Sequence, residues 1–504
     1  MADTPATTSH AEALKSTSII GGSTAVTILV RIVRTKVLAS LLGPTGIGLE
    51  AIYDSVVNLA RTFLDLGISS SGVRQIAASI ASGDQRLVAT TVITLRRVCL
   101  ILGVLGAIAL YLFRVPVSRM AFDNTDHARD VGLLSIILLL GSVAGGQGAL
   151  LQGARRISDL ARMRIIGSVV GAGVSIPFVY FWGRAGIVPY MIVAAGVGGL
   201  ISWAYARRIK IEQVNVSLPE LSRETANLLK LGIVFVSTGL MSTGALFLIR
   251  ILVTRMQGLD GVGQFQAASA LSTIYVGFIL QAMGTDFYPR LTSVAEDDRR
   301  CNQLVNEQSE ISVLLALPGV LGTLAAAPWV IRLFYTSKFD LAPAILYWQV
   351  AGTFLQVNSW PLGFILVAKG RSIAYFWTEL AAYSAYVLFG WLGLKYFGLP
   401  GVGMAFLGLY VFHWVMIYVV ARKISGFALS PGNIRLSLIG VAGVGIALCT
   451  RLTLPEPWPT LIGGILTITV GIHCLKILIR HAGSEKIMYY SRKLKLSFLV
   501  RKLL

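Results

Sequence analysis

Fourteen runs of mostly apolar residues, each long enough to span a bilayer, constrain this chain more than any motif does. A lipid core offers no water to backbone N–H and C=O groups, so a run of about 20 apolar residues crosses it as a helix. The runs predict helices near 16–42, 47–70, 88–113, 131–153, 160–182, 187–206, 228–256, 264–285, 309–334, 344–367, 374–394, 401–421, 434–451 and 459–479. Charge is scarce in the same way. Only 13% of the 504 residues are charged, against about 25% in an ordinary soluble domain. That scarcity excludes a soluble enzyme, a disordered chain and a fibrous protein. The expected fold class is an all-α polytopic membrane protein with about 14 transmembrane helices. The 52 glycines fit membrane helices that pack closely.

The few charges are lopsided, with 44 Lys and Arg against 24 Asp and Glu. Cytoplasmic loops carry the excess of Lys and Arg in membrane proteins. Alternate loops here do so: Arg74 and Arg86; Arg155, Arg156, Arg162 and Arg164; Arg207, Arg208, Lys210 and Arg223; Arg290, Arg299 and Arg300; Lys369 and Arg371; Arg422, Lys423 and Arg435. Both termini are therefore expected in the cytoplasm. Residues 1–13 lack the basic start and short apolar core of a cleavable signal. The tail 480–504 mixes basic residues with Ile487, Leu494 and Phe498, and reads either as an amphipathic helix on anionic lipid or as a disordered basic tail. The loops 114–130 and 207–227 are too short to hold a soluble domain. Cys99, Cys301, Cys449 and Cys474 are far apart, and the histidines are scattered, so no metal or cofactor is expected. No phosphate-binding loop, HExxH, GxSxG or dinucleotide fingerprint occurs, so no enzyme is expected. The basic runs sit in no soluble domain with interleaved aromatics, which argues against a nucleic-acid partner.

The halves repeat. TGIG at 45–48 matches DGVG at 260–263, the glycines of YFWGRAGI at 180–187 match those of KYFGLPGV at 395–402, and Ala206-Arg207-Arg208-Ile209 matches Ala421-Arg422-Lys423-Ile424, all 215 residues apart. Gly153 pairs with Gly370 only after a two-residue slip. The expected organisation is an N-terminal six-helix lobe at 1–206, a cytoplasmic linker at 207–227, a C-terminal six-helix lobe at 228–424, two additional helices at 425–479, and the tail. Six helices per lobe make the repeats parallel, a design that places a cavity between lobes and alternates access by rocking.

Ionisable residues inside the spans are the candidate site, because a charge at mid-bilayer costs about 2.5–3.5 kcal/mol on insertion scales. The first helix carries Arg31, Arg34 and Lys36, and the second carries Glu50, Asp54, Asn58, Arg61 and Asp65 on one face. The seventh carries Arg250 and Arg255, the eighth ends in Asp286, and the eleventh holds Glu379. Individual pairs, such as Arg61 with Asp65 or Asp54 with an arginine of the first helix, could be structural. As a set, Arg31, Arg34, Lys36, Arg61, Arg250 and Arg255 outnumber Glu50, Asp54 and Asp65. The surplus predicts an anionic ligand, and guanidinium suits a phosphate or diphosphate. Glu50, Asp54, Asp65, Asp286 and Glu379 are candidates for coupling or gating. His413 reads as a packed histidine more readily than as a proton relay.

The segment LGPTGIGLEAIYDSVVNLARTFLDLGISSSGVRQIA at 42–77 resembles the opening of the polysaccharide transport (Wzx-type) flippases, of the multidrug/oligosaccharidyl-lipid/polysaccharide exporter superfamily. DFYPRLTSVAED at 286–297 is similar to an inner-loop pattern of that family. The resemblance implies a two-lobed bundle in the bacterial inner membrane. It implies a substrate, an O-antigen or exopolysaccharide repeat unit on undecaprenyl diphosphate, moved from inner to outer leaflet. It further implies a polysaccharide polymerase and export machinery as partners. Cavity cations of such flippases would correspond to Arg31 and Arg34, Arg61 and Arg250, while the eighth helix lacks a central arginine. Two alternatives share the fold: a peptidoglycan lipid II flippase, and a drug or metabolite efflux carrier, which would normally place net acid in its cavity.

Overall fold

The computed structural model describes residues 6–212, 214 and 216–482, and among them every regular element is helical. The helices are α1 (Ala6–Asp65), α2 (Ile68–Ser82), α3 (Gln85–Leu112), α4 (Arg114–Phe122), α5 (Ala128–Gly153), α6 (Ile157–Trp182), α7 (Ile187–Ala206) and α8 (Leu218–Ala282). They continue as α9 (Tyr288–Ser293), α10 (Asp298–Phe334), α11 (Ala342–Ala368), α12 (Ser372–Phe397), α13 (Pro400–Ser425), α14 (Pro431–Thr453) and α15 (Trp458–Ala482). Among the described residues nine helical segments are long and apolar enough to cross a membrane, and one of them, 157–206, contains both α6 and α7. The chain is a multi-pass membrane protein. The tail expected at 480–504 lies almost wholly outside the described residues.

α1 and α8 are each two helices joined at a glycine. Gly43 has φ 65° and ψ −174°, and Gly258 has φ 73° and ψ −177°. A side chain with a Cβ is strained there, and Pro44 further bars Gly43 from the helical region. The two breaks stand 215 residues apart, at the spacing of the sequence repeat. So do Gly183 (φ 55°) and Gly398 (φ 62°), and so do the whole helices α6 and α12. The third pair corrects the sequence alignment. The equivalent of Gly370 (φ 67°) is Arg155 (φ 52°), not Gly153, and no slip is needed. The turn conformation persisted where the glycine did not, so matching glycines by letter misplaced it.

Two compact units form: residues up to Gly263 with Phe334–Lys338, and Gln264–Leu333 with Phe339 onward. In the first, α1 packs on α5 and α6, α3 on α5, and α7 on α5 and α6. Ile76, Val92, Leu95 and Leu150 form a core there among α2, α3 and α5. In the second, α13 packs on α11 and α12, with Val305, Val357, Ile365 and Ile417 at its centre. α14 approaches α11 so closely that a Cβ at Gly440 would strike the Phe354 ring. Leu461, Ile465, Ile468 and Ile472 form one exposed apolar face of α15, the kind of surface that lipid covers.

Some boundaries differ from the sequence expectation. The second half of α1 stops at Asp65, where Leu66 and Gly67 take positive φ, and α2 starts anew. α4 occupies a stretch expected to be a loop. α10 begins at Asp298, well before 309, because its polar first turns bury only Cys301 and Val305 on one face. Such amphipathic turns carry little mean hydropathy and escape a search for apolar runs.

The kinks bring the first unit's two broken helices into reciprocal contact. A Cβ at Gly48 would collide with the carbonyl oxygen of Leu259, and one at Gly263 with that of Pro44. Gly48→Ala and Gly263→Ala are each expected to destabilise the protein by about 1–3 kcal/mol, the usual cost of overpacking. Gly445→Ala, which meets nothing within 4 Å, is the control. Thermal unfolding in detergent checks this; equal melting temperatures for all three would refute the close approach.

Candidate functional site

The second half of α1 presents a polar stripe for a simple geometric reason. Residues three and four apart share a helix face, and Glu50, Asp54, Asn58 and Arg61 follow that spacing. Ala51, Ile52, Tyr53, Ser55, Val56 and Val57 are buried, while Asp54, Asn58 and Arg61 are exposed. The apolar side of the helix therefore seats the stripe facing open space.

Arg34 is the best-held charge. Its Nη2 donates to Glu50 Oε1 at 2.7 Å and to the Tyr190 hydroxyl at 3.0 Å, and its Nε donates to Ser175 Oγ at 3.0 Å. Its guanidinium also lies 5.3 Å from the Tyr190 ring centre. Four elements of one cage thus come from both halves of α1, α6 and α7. The structural reading of paired charges holds for Arg34, and its acid is Glu50 rather than Asp54. Tyr190 and Ser175 escaped sequence reasoning. A lone Tyr or Ser in an apolar helix is unremarkable in sequence; only burial of the Tyr190 hydroxyl, which then needs a partner, marks it.

The other cations divide into held and open. Arg250 of α8 is 8% exposed, donates from Nη1 to Ser55 Oγ, and lies within coulombic range of Asp54. Lys36 Nζ donates to the Tyr335 carbonyl. Arg255 is 3.9 Å from Asp123 and donates to the Met120 carbonyl at 3.4 Å, so it serves α4 and not the Arg34 cage. Arg31, one turn before Arg34, is exposed and makes no hydrogen bond or ion pair among the described residues, although Asp54 lies within coulombic range. Arg61 is exposed too, and it makes no pair with Asp65, whose carboxylate accepts the Ser69 hydroxyl at 2.5 Å.

The remaining acids are elsewhere. Asp286 is exposed and lies 3.3 Å from Arg290. Glu379 of α12 is 3.6 Å from His413 Nε2 of α13, both largely buried in the second unit. Around Asp54 lie the cations Arg31, Arg34 and Arg250 and the acid Glu50. Arg31 and Arg61 stand exposed without an ion pair among the described residues, and exposed guanidiniums attract anions. No cluster of three or more His, Cys, Asp or Glu that could hold a metal occurs among the described residues.

A twice-repeated, multi-pass helical bundle with glycine-broken helices and a cationic stripe is the architecture of a membrane transporter or flippase. The chain belongs to the polysaccharide biosynthesis protein family, whose model matches residues 37–343. It is 24% identical over 397 residues to the lipid III flippase of Escherichia coli (strain K12), an alignment covering 75% of this chain and 91% of that protein. Its fold is similar to an inward-facing multidrug resistance MATE family transporter of the MOP superfamily, with TM-score 0.67, 17% identity, and coverage of 82% of this chain and 95% of that one. It is also similar to the lipid II flippase MurJ in an inward closed conformation, with TM-score 0.62, 12% identity, and coverage of 92% and 99%.

The Arg34 cage yields a stability prediction. Glu50→Gln leaves a mostly enclosed guanidinium without its counter-charge and is expected to cost about 2 kcal/mol. Arg34→Gln is expected to cost a similar amount, and the double variant less than the sum, because the two share one interaction. A double-mutant cycle by thermal unfolding checks it; strict additivity would show that the pair is not coupled.

Proposed function

We propose that the protein is a flippase for a polyprenyl-diphosphate-linked oligosaccharide, an O-antigen or exopolysaccharide repeat unit, moved from the inner to the outer leaflet by alternating access. The observation that carries this reading is the exposed guanidinium of Arg31, without an ion pair among the described residues, beside the caged Arg34 and buried Arg250. A diphosphate matches that guanidinium in sign and in shape. The lipid III flippase relative supports a lipid-linked glycan as cargo. The likeness to a MATE transporter speaks for the fold alone.

In this reading the lobes 1–206 and 228–424 rock about the cargo, joined by 207–227, with 425–479 as an appendage. The diphosphate meets Arg31 and Arg250, the sugars occupy wet space, and the polyprenyl chain stays in lipid. Asp54 and Glu50 supply a counter-charge that cargo or a coupling ion displaces. The protein sits in the bacterial inner membrane with both termini cytoplasmic, close to anionic lipids and to a polymerase that takes up the delivered units. A lipid II flippase is the alternative cargo reading, and the likeness to MurJ, at 12% identity, speaks for the shared fold alone.

Arg31→Ala and Arg250→Ala are each expected to cut glycolipid translocation at least tenfold in proteoliposomes while the protein still inserts. Arg250→Lys retains charge but loses the guanidinium Nη1 donor to Ser55, and should fall between. Normal translocation by both alanine variants would sink the proposal. Offering lipid II and an O-antigen unit side by side separates the two cargo readings.

A further inference from the structure

A second cationic feature lies wholly within the first unit. A cavity of about 710 Å³ opens among the second half of α1, α2, α5, α6 and α7. Two arginines line it: Arg61 from α1 and Arg164 from the second turn of α6. No Asp or Glu is among its lining residues. Neither guanidinium makes a hydrogen bond or ion pair among the described residues. The side-chain amide of Gln152, near the end of α5, lines the same space and is likewise without a hydrogen bond among them.

Three glycines of α5 border the same space, beside Arg61. Gly141, Gly145 and Gly148 recur at helical spacing on one face of α5. A Cβ at Gly145 would lie 3.6 Å from Arg61 Nη2, and one at Gly141 4.0 Å from Arg61 Nη1. Both distances are ordinary van der Waals contacts, so the guanidinium lies directly beside this face of α5. A Cβ at Gly148 would meet nothing within 4 Å, so that glycine borders the void itself. Asp65, one turn beyond Arg61, accepts the Ser69 hydroxyl and makes no ion pair with the guanidinium.

Unpaired charges are costly inside a membrane and mark a ligand when they share a cavity. Arg164 is exposed, as Arg61 is, so both guanidiniums are reachable from the open side of the cavity they line. Arg162 and Arg164 look in sequence like ordinary cytoplasmic-loop charges, which is why this site is invisible there. We infer that Arg61, Arg164 and Gln152 form a diphosphate-binding subsite separate from the Arg31–Arg34–Arg250 group. Two guanidiniums donate to the oxygens of two phosphate groups, with the amide as an additional donor. Its position beside the α5–α6 turn, on the side assigned to the cytoplasm, makes it an entry subsite. That last step rests on the flippase reading; the diphosphate site itself does not.

The test uses the full-length protein in phosphatidylcholine nanodiscs. Undecaprenyl diphosphate incorporated in the disc, and inorganic pyrophosphate added to solution, serve as separate probes. Arg61→Gln and Arg164→Gln are each expected to weaken diphosphate binding at least tenfold. Gly148→Leu should do the same by filling the void, since its Cβ clashes with nothing. Arg86→Gln, at an exposed ion pair with Glu220, should leave binding unchanged. Loss of pyrophosphate binding in the variants supports a site that reads the diphosphate alone. Loss confined to the lipid probe supports one that also needs the membrane-held chain. Binding within twofold of the parent in both Arg164→Gln and Gly148→Leu overturns the subsite, even if translocation is intact and the flippase reading stands. Arg164-dependent binding in a protein that translocates no glycolipid keeps the subsite and overturns the flippase reading.

Discussion

A charge inside a bilayer has to find a partner or a wet surface, and that requirement organises the first unit of this protein. Arg34 meets it by pairing, with a carboxylate, a phenol and a hydroxyl closing around its guanidinium. Arg250 meets it by burial against Ser55, near Asp54. Arg31 and Arg61 meet it differently, by standing on open faces. Along α1 the open cations, Arg31 and Arg61, flank the held ones, Arg34 and Lys36. Because Ala51, Ile52, Tyr53, Val56 and Val57 are buried, the stripe between them has no choice but to face the open space.

Backbone geometry serves the same end. A continuous α1 would carry Arg31 and Arg34 along one axis with Glu50, about 24 Å up the helix from Arg34 at 1.5 Å per residue. The break at Gly43 folds the second half back, so that Glu50 reaches Arg34 at 2.7 Å. The ion pair therefore depends on a glycine seven residues away that touches neither side chain. The same break recurs at Gly258, and the close passage of Gly48 by Leu259 and of Gly263 by Pro44 repeats the relation in reverse. Two copies of one kink thus support each other, which explains why the duplication preserved their glycines.

The spans were legible because an apolar run of sufficient length has only one stable form in lipid. The repeat was legible where glycine was kept and misregistered where it was not: Arg155 adopts the positive φ that Gly370 adopts in the other half. Charges could be counted but not paired. Sequence spacing suggested Arg61 with Asp65, yet Ser69 holds that acid; it suggested Asp54 for an arginine of α1, yet Glu50 takes it. Partners across helices depend on rotation and kink, which local spacing does not encode. Arg164 was read as a topological marker, because nothing in its neighbourhood distinguishes a loop arginine from one lining a void. Tyr190 and Ser175 carried no signal at all, being ordinary residues in apolar helices.

Those mispaired acids leave the site cationic. Arg31, Arg34 and Arg250 all lie within coulombic range of Asp54, beside Glu50. Exchange of partners among these acids moves the open position from one guanidinium to another. With Glu50 committed to Arg34, Arg31 is the exposed cation. If a conformational change released Glu50, Arg34 would become the open cation and Asp54 or Glu50 would be free to pair elsewhere. A site of this kind stays attractive to an anion through a rearrangement of its own ion pairs, a property that a single buried arginine with a single acid would lack.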